Sequence, residues 1–196
     1  EMHVYRFGPD MTDGKADMKN LLGGKGANLA EMALLEIPVP PGCTITTEVC
    51  TFFNENGKTY PKELDSQLKN ALKDVEERVG AVFGDSDNPL LLSVRSGART
   101  SMPGMMETVL NVGLNDFTRD GLIAQSGDPR FVYDAQRRLI QMYSDVVMEK
   151  ASGIEPEEGM GIRNQLEHEL ERMKEQEDVT EDTDLSASNL KDLVDI

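Results

Sequence analysis

Apolar and polar positions alternate through "VYRF" at 4–7, which predicts a short strand. A glycine-rich turn within "ADMKNLLGGKGANLAEMALLEIPVPPG" then feeds a helix, traced by Leu29, Met32, Ala33 and Glu36 and stopped by Pro38. The β-branched "GCTITT" predicts a strand. "TEVCTFFNENG" predicts a short helix with Thr47 as its N-cap and Gly57 as its stop. Pro61 occupies a first helical position and opens a helix over 61–80, with Leu64, Leu68, Leu72, Val75 and Val79 as one apolar stripe. "GDSDNP" at 84–89 is a turn cluster. "LLLSVR" at 90–95 reads as a buried strand ending on a charge, and "METVLNVG" at 106–113 alternates again, so the two are expected to pair. Asp128 as N-cap and Pro129 just inside it start a further helix, whose apolar pattern runs on through Leu139, Ile140, Tyr143, Val146 and Val147.

Past Lys150 the pattern thins. Residues 149–184 hold 13 acidic and 4 basic side chains, a net of −9 out of −16 for the whole chain. Helical spacing survives at Leu166, Leu170 and Met173 with little else apolar, which predicts a thin solvated helix or connector. "DLSASNLKDLVDI" starts a last helix near Ser186. The expected division is therefore 1–149 as one domain and 150–196 as an acidic helical connector, the start of a further helical subdomain, cut short at Ile196. There are no internal repeats.

Charge and composition narrow the function classes. A net charge of −16 over 196 residues repels nucleic acid and anionic membranes, although a local cationic pocket still attracts an anion. No apolar run reaches membrane-spanning length, and "EMHVYRFG" has no signal-peptide core, so a cytoplasmic setting is the default, organellar if a targeting peptide was removed. Cys43 and Cys50 match no common zinc spacing and read as free buried thiols. His3 and His168 are isolated and expected at the surface. Arg137 and Arg138 read as solvated or ion-paired. No Ser/His/Asp or Cys/His constellation is apparent.

Two stretches carry candidate chemistry. In "LLGGKGANLAEM", Gly24, Lys25 and Gly26 gather backbone N–H groups and a cation where a helix begins, which suits an anion because that end of a helix is electropositive. The stretch fits neither the Walker nor the Rossmann pattern, and by itself reads first as a structural turn and only second as a phosphate site. In "SVRSGARTSMPGMMETVLN", Arg95 offers a planar donor fork suited to phosphate, its alternative being a structural ion pair. The small-residue segment after it can fold over a ligand, with Met102, Met105 and Met106 as adaptable apolar surface or core filling. Together these residues describe an α+β module with an anion site expected where Lys25 and Arg95 share a pocket.

"NLLGGKGANLAEM" with "PVPPGCTITTEVC", and "NPLLLSVRSGARTSMPGMMETVLNVGLND" with "PRFVYDAQRRLIQMYSDVVM", resemble the N-terminal nucleotide-binding domain of the pyruvate, phosphate dikinase family over residues 4–149. The resemblance implies an ATP-grasp-like N-terminal subdomain with a mixed β-sheet and flanking helices, followed by the helical connector. It implies ATP as ligand and Mg²⁺ for phosphoryl transfer, the metal ligands lying in a part of the family pattern that this chain lacks. A phosphohistidine domain of the same full-length chain and a homodimeric full-length protein are implied as partners. The family's phosphate lysine corresponds to Lys25 between Gly24 and Gly26, and its charge-neutralising arginine to Arg95. Its phosphate-covering loop corresponds to Ser101, Met102, Gly104 and Met105, with Thr108 just beyond. The implied reaction turns ATP, phosphate and pyruvate into AMP, pyrophosphate and phosphoenolpyruvate through the phosphohistidine, and the chain, as an N-terminal fragment, is expected to be inactive alone. The related phosphoenolpyruvate synthases share the Gly-Gly-Lys turn and the Val-Arg-Ser motif, but their loop is typically acidic and lacks "SMPGMM"; they are the second reading. A non-catalytic docking module, using the helices at 61–80 and 129–148, is the third.

Overall fold

The computed structural model describes residues 1–97 and 108–196. Contacts divide these residues into two units, one of 1–80 with 96–97 and the other of 81–95 with 108–196.

In the first unit, strand β1 (Val4–Phe7) pairs antiparallel with β2 (Gly42–Ile45), Tyr5 facing Thr44. The free edge of β1 is met by a side chain: Gln67 Oε1 accepts the backbone N–H groups of His3 and Val4 at 2.7 and 3.2 Å. Gln67 sits on helix α3 (Leu64–Val79), so this pairing docks the helix on the ribbon. The small Ala71 on the same face lets the backbones approach, and Val4, Val49, Leu64 and Ala71 form the core. Orientation through Gln67 and Ala71 leaves Leu68 and Val79 exposed, so only part of the expected leucine stripe is buried. The helix also begins three residues after Pro61, whose carbonyl accepts from Leu64 N–H. Helix α2 (Thr47–Glu55) has extended Thr46 rather than Thr47 at its N-cap position, without a side-chain cap hydrogen bond, and Thr47 is its first helical residue. His3 is buried, 5% exposed, against the expectation of a surface histidine, because Gln67 and Thr46 hold its backbone on the ribbon. Cys43 is half-buried and Cys50 exposed, so only one thiol is withdrawn from solvent. Burial pushes the Cys43 thiol up.

Helix α1 (Lys19–Leu34) contains a break: Gly23 has φ 73 and ψ 170, outside helical space. The buried positions are Leu22, Gly23, Gly26, Ala27 and Ala30, not the predicted Leu29, Met32, Ala33 and Glu36. Small residues face inward because β2 lies close against them. The helix ends at Leu34, and Glu36 at φ 58 turns the chain before Pro38.

In the second unit, β3 (Leu92–Val94) pairs antiparallel with β4 (Val109–Val112), Leu92 facing Val112 and Val94 facing Val109. β4 spends one residue more than β3 between those pairs, and Asn111, at φ 60, takes the turn in the left-handed region where asparagine is tolerated. The α+β class holds, but the strands among the described residues form two separate antiparallel ribbons rather than one mixed sheet. Nor is 90–95 buried throughout: Leu90 is, whereas Ser93, Val94 and Arg95 are exposed. The ribbon's packed side instead presents Val109 and Val112, which join Leu114, Val132, Ala135, Leu139 and Val146 in the unit's main core.

Helix α4 (Arg119–Ser126) has no counterpart in the sequence reading. It follows a turn in which Asn115 Oδ1 accepts the N–H groups of Phe117 and Thr118 at 2.9 and 3.0 Å, while the buried Thr118 hydroxyl donates to Gly113 O at 2.7 Å. Helix α5 (Pro129–Tyr143) starts as predicted: Asp128 accepts Phe131 N–H at 3.0 Å and Pro129 stands just inside. It runs into a π-helical turn, Ser144–Lys150. Helices α6 (Ile162–Gln176) and α7 (Ala187–Asp195) follow, the latter opened by a capping box between Ser186 and Asn189. Leu170, Leu185, Leu190 and Leu193 cluster against Tyr133 of α5, so the acidic helix is solvated only on its outer face. Arg137 and Arg138 are both ion-paired to Asp134, at 2.9 and 3.1 Å. No helix among the described residues is long and apolar enough to cross a membrane.

Candidate nucleotide-binding site

The break at Gly23 divides α1 into two helical pieces, and the second begins with Gly24, Lys25 and Gly26. A helix's first N–H groups have no partner within the helix, and the aligned peptide dipoles make that end electropositive. Gly23 is required for this, since its φ of 73 with ψ of 170 is a conformation that residues bearing a Cβ rarely adopt. Gly24 is half-buried, Lys25 exposed and Gly26 buried. The Lys25 ammonium donates to Ser96 O at 3.4 Å, and among the described residues no carboxylate lies within ion-pair distance of it.

Neighbouring elements hold this arrangement. A Cβ on Gly26 would lie 2.7 Å from Thr44 Cγ2 and 2.9 Å from Thr44 Oγ1, so β2 packs where only glycine fits. Thr47, opening α2, donates its hydroxyl to Asn20 O at 2.6 Å, just before the break. Sequence reading took Thr44 only for its strand propensity and Thr47 only as a helix cap, and gave neither a role at the break.

Arg95 ends the exposed part of the 90–95 run in the second unit. Its eight described fellows, Arg6, Arg78, Arg119, Arg130, Arg137, Arg138, Arg163 and Arg172, all have ion pairs or hydrogen bonds. Arg95 is the one described arginine with neither, so the alternative of a structural ion pair finds no partner among the described residues. A guanidinium with no ion pair among the described residues is chemically suited to an external anion. Thr108 is half-buried at the approach to β4. Ser101, Met102, Gly104 and Met105 lie outside the described residues.

This local geometry, a glycine break that opens a helical piece at a lysine with no ion pair among the described residues, is of a kind that can accept an anion. Comparison with known proteins adds a likeness. Residues 19–60, which contain α1, β2 and α2 and hence the break, match the pyruvate phosphate dikinase, AMP/ATP-binding domain family. The chain is 50% identical over 190 residues to pyruvate, phosphate dikinase of Clostridium symbiosum, an alignment covering 97% of this chain and 20% of that protein. It is 50% identical over 195 residues to the chloroplastic pyruvate, phosphate dikinase 1 of Arabidopsis thaliana, covering 99% and 19%. Pyruvate, phosphate dikinase 2 of Zea mays is 49% identical over 191 residues, covering 97% and 20%. The chain thus spans about a fifth of the length of the curated relatives it matches. The resemblance to the N-terminal nucleotide-binding region of the pyruvate, phosphate dikinases holds across nearly the whole chain.

Proposed function

We propose that this chain supplies the N-terminal part of an ATP site, and that the full-length protein is a pyruvate, phosphate dikinase converting ATP, phosphate and pyruvate to AMP, pyrophosphate and phosphoenolpyruvate. The observation that carries the reading is the Gly23 break, which falls inside the stretch matching the AMP/ATP-binding domain and leaves Gly24, Lys25 and Gly26 at the start of a helical piece. In this reading the ammonium of Lys25 and the amides of Gly24 and Gly26 hold phosphate oxygens. Arg95 neutralises charge as the phosphoryl group moves, and Ser101, Met102, Gly104, Met105 and Thr108 cover the phosphates. Positioning and charge neutralisation supply most of the catalysis in phosphoryl transfer, so a lysine, an arginine and glycine amides suit this chemistry. The nucleotide residues fall within 1–149, with 150–196 as an acidic helical extension.

Mg²⁺ would neutralise phosphate charge. No group of three or more His, Cys, Asp or Glu side chains among the described residues is arranged to hold it. In this reading its ligands, the phosphohistidine domain, the pyruvate site and the dimer contacts belong to the remaining length of the full protein, and this chain alone completes no turnover. The relatives reported above are named as phosphate dikinases, which favours that reaction over the synthase.

The full-length protein tests this. Arg95→Ala should abolish ATP-dependent AMP formation while the protein stays folded, and AMP release at the wild-type rate would remove Arg95 from catalysis. Pyrophosphate formation that depends on added phosphate separates dikinase from synthase. Nucleotide-dependent NMR shifts at Gly24–Gly26 and Gly104 separate both from a docking module, which should show none.

A further inference from the structure

Two threonines outside the glycine motif touch α1 on either side of its break. Before it, Thr47 Oγ1 donates to Asn20 O at 2.6 Å. After it, Thr44 fills the space that a side chain on Gly26 would need, its Cγ2 and Oγ1 at 2.7 and 2.9 Å from the ideal Cβ position. The helical piece that precedes Gly23 is barely one turn long, and carbonyls in a helix's last turn lack helical partners. The Thr47 hydroxyl supplies a donor to one of these carbonyls. Thr44 is β-branched and therefore stiff at χ1, and it is fixed in the ribbon opposite Tyr5, so it makes a firm stop against the second piece.

A break at a single glycine is not self-maintaining. Glycine populates many backbone conformations, and an unsupported Gly-Gly-Lys-Gly stretch would sample several directions for Lys25. Here both flanks are anchored on the contiguous β2 and α2 segment, residues 42–55, with Thr44 two residues before Thr46 and Thr47 directly after it.

We propose that Thr47 and Thr44 are positioning residues for nucleotide binding: the Thr47 hydroxyl and the Thr44 side chain hold the two flanks of the Gly23 break so that Lys25 and the amides beside it stay aimed at the phosphates. The inference rests on the nucleotide reading of Lys25. Thr47 touches no phosphate itself. Its contribution is to spare ATP the cost of ordering the glycines, and a pre-ordered site binds more tightly than one that orders on binding.

The test measures ATP affinity by titration calorimetry, with thermal unfolding alongside, on the full-length protein and its variants Thr47→Val, Thr47→Ser and Lys25→Met. Valine keeps the shape of Thr47 and removes the donor, so affinity should fall about fivefold, the effect of losing one hydrogen bond of ordinary net strength. Thr47→Ser keeps the hydroxyl and should restore affinity, which a role in bulk packing alone would not predict. If Thr47→Val binds as wild type while Lys25→Met binds weakly, the positioning role is wrong and the nucleotide reading stands. If Thr47→Ser binds as poorly as Thr47→Val, the hydroxyl is not the operative group and the proposal falls. If Lys25→Met also binds as wild type, the nucleotide reading itself fails.

Discussion

The Lys25 ammonium reaches the carbonyl oxygen of Ser96 at 3.4 Å, a long hydrogen bond to a neutral acceptor. Such a bond is easily exchanged for one to a charged oxygen, which is shorter and stronger. Lys25→Met should therefore weaken ATP binding about tenfold or more, the range for losing a hydrogen bond to a charged group. Melting temperature should barely move, because an exposed lysine bonded at that length adds little to stability. Calorimetric affinity and a thermal melt on the same sample check both halves.

Gly26 gives a sharper structural prediction. The space for a Cβ there is already taken by Thr44, and neither a stiff threonine nor a ribbon strand yields cheaply. Gly26→Ala should cost about 1–3 kcal/mol of stability, the usual penalty of overpacking a filled site, despite alanine's better helix propensity. Chemical denaturation measures this. A variant as stable as wild type would mean that α1 and β2 are not in tight contact.

The contrast between Gly26 and Leu29 shows what the sequence made legible. The glycine motif, the strand and helix order apart from α4, and the Asp128 and Ser186 caps could all be read locally, since caps and breaks depend on near neighbours. The buried face of α1 could not. Hydrophobic spacing selected Leu29 and Met32, whereas a close-lying strand demanded Gly26, Ala27 and Ala30, and small residues carry no hydrophobic signature. Gln67 was illegible for a related reason. A polar residue on a helix reads as solvated, and only the free edge of β1 gives its amide buried partners. At the site, the motifs singled out Lys25 and Arg95 by residue type, but that Arg95 has no ion pair among the described residues is a property of the fold.

Asp13 ties the loop after β1 back to the strand and sets a pH dependence. Its Oδ2 accepts both the backbone N–H and the side-chain Nε of Arg6, at 2.9 and 3.0 Å. Burial alone would raise the Asp13 carboxyl, but the side-chain and backbone hydrogen bonds from Arg6, with its charge, outweigh that and hold it below the usual range. A depressed carboxyl stabilises the fold fully above its unfolded value near pH 4, and that contribution is lost as pH falls through the lower folded value. Asp13→Asn should thus be less stable at neutral pH by about 1 kcal/mol, a figure kept small because Arg6 is about a third exposed. The two proteins should converge in acid. A difference that stays constant with pH would mean that Asp13 acts through shape and not charge.

The acidic extension supplies the last prediction. Leu190 is 0% exposed and Leu185 1%, and both join Leu170 and Leu193 against Tyr133 of α5. Arg130, also on α5, donates to Leu185 O and Asp182 O at 2.8 and 2.7 Å, so backbone carbonyls as well as side chains hold the extension in place. A solvated connector would tolerate truncation of any one leucine, because nothing would be left unfilled. A packed one would not: Leu190→Ala should cost about 2–5 kcal/mol, the loss expected when a fully buried leucine leaves a cavity. The damage should be local at first. Amide exchange should speed up through 162–195 before it does so in β1 and β2, which belong to the other unit. Hydrogen exchange by mass spectrometry reads this directly. Unchanged protection in α6 and α7 would return the extension to the status of a connector.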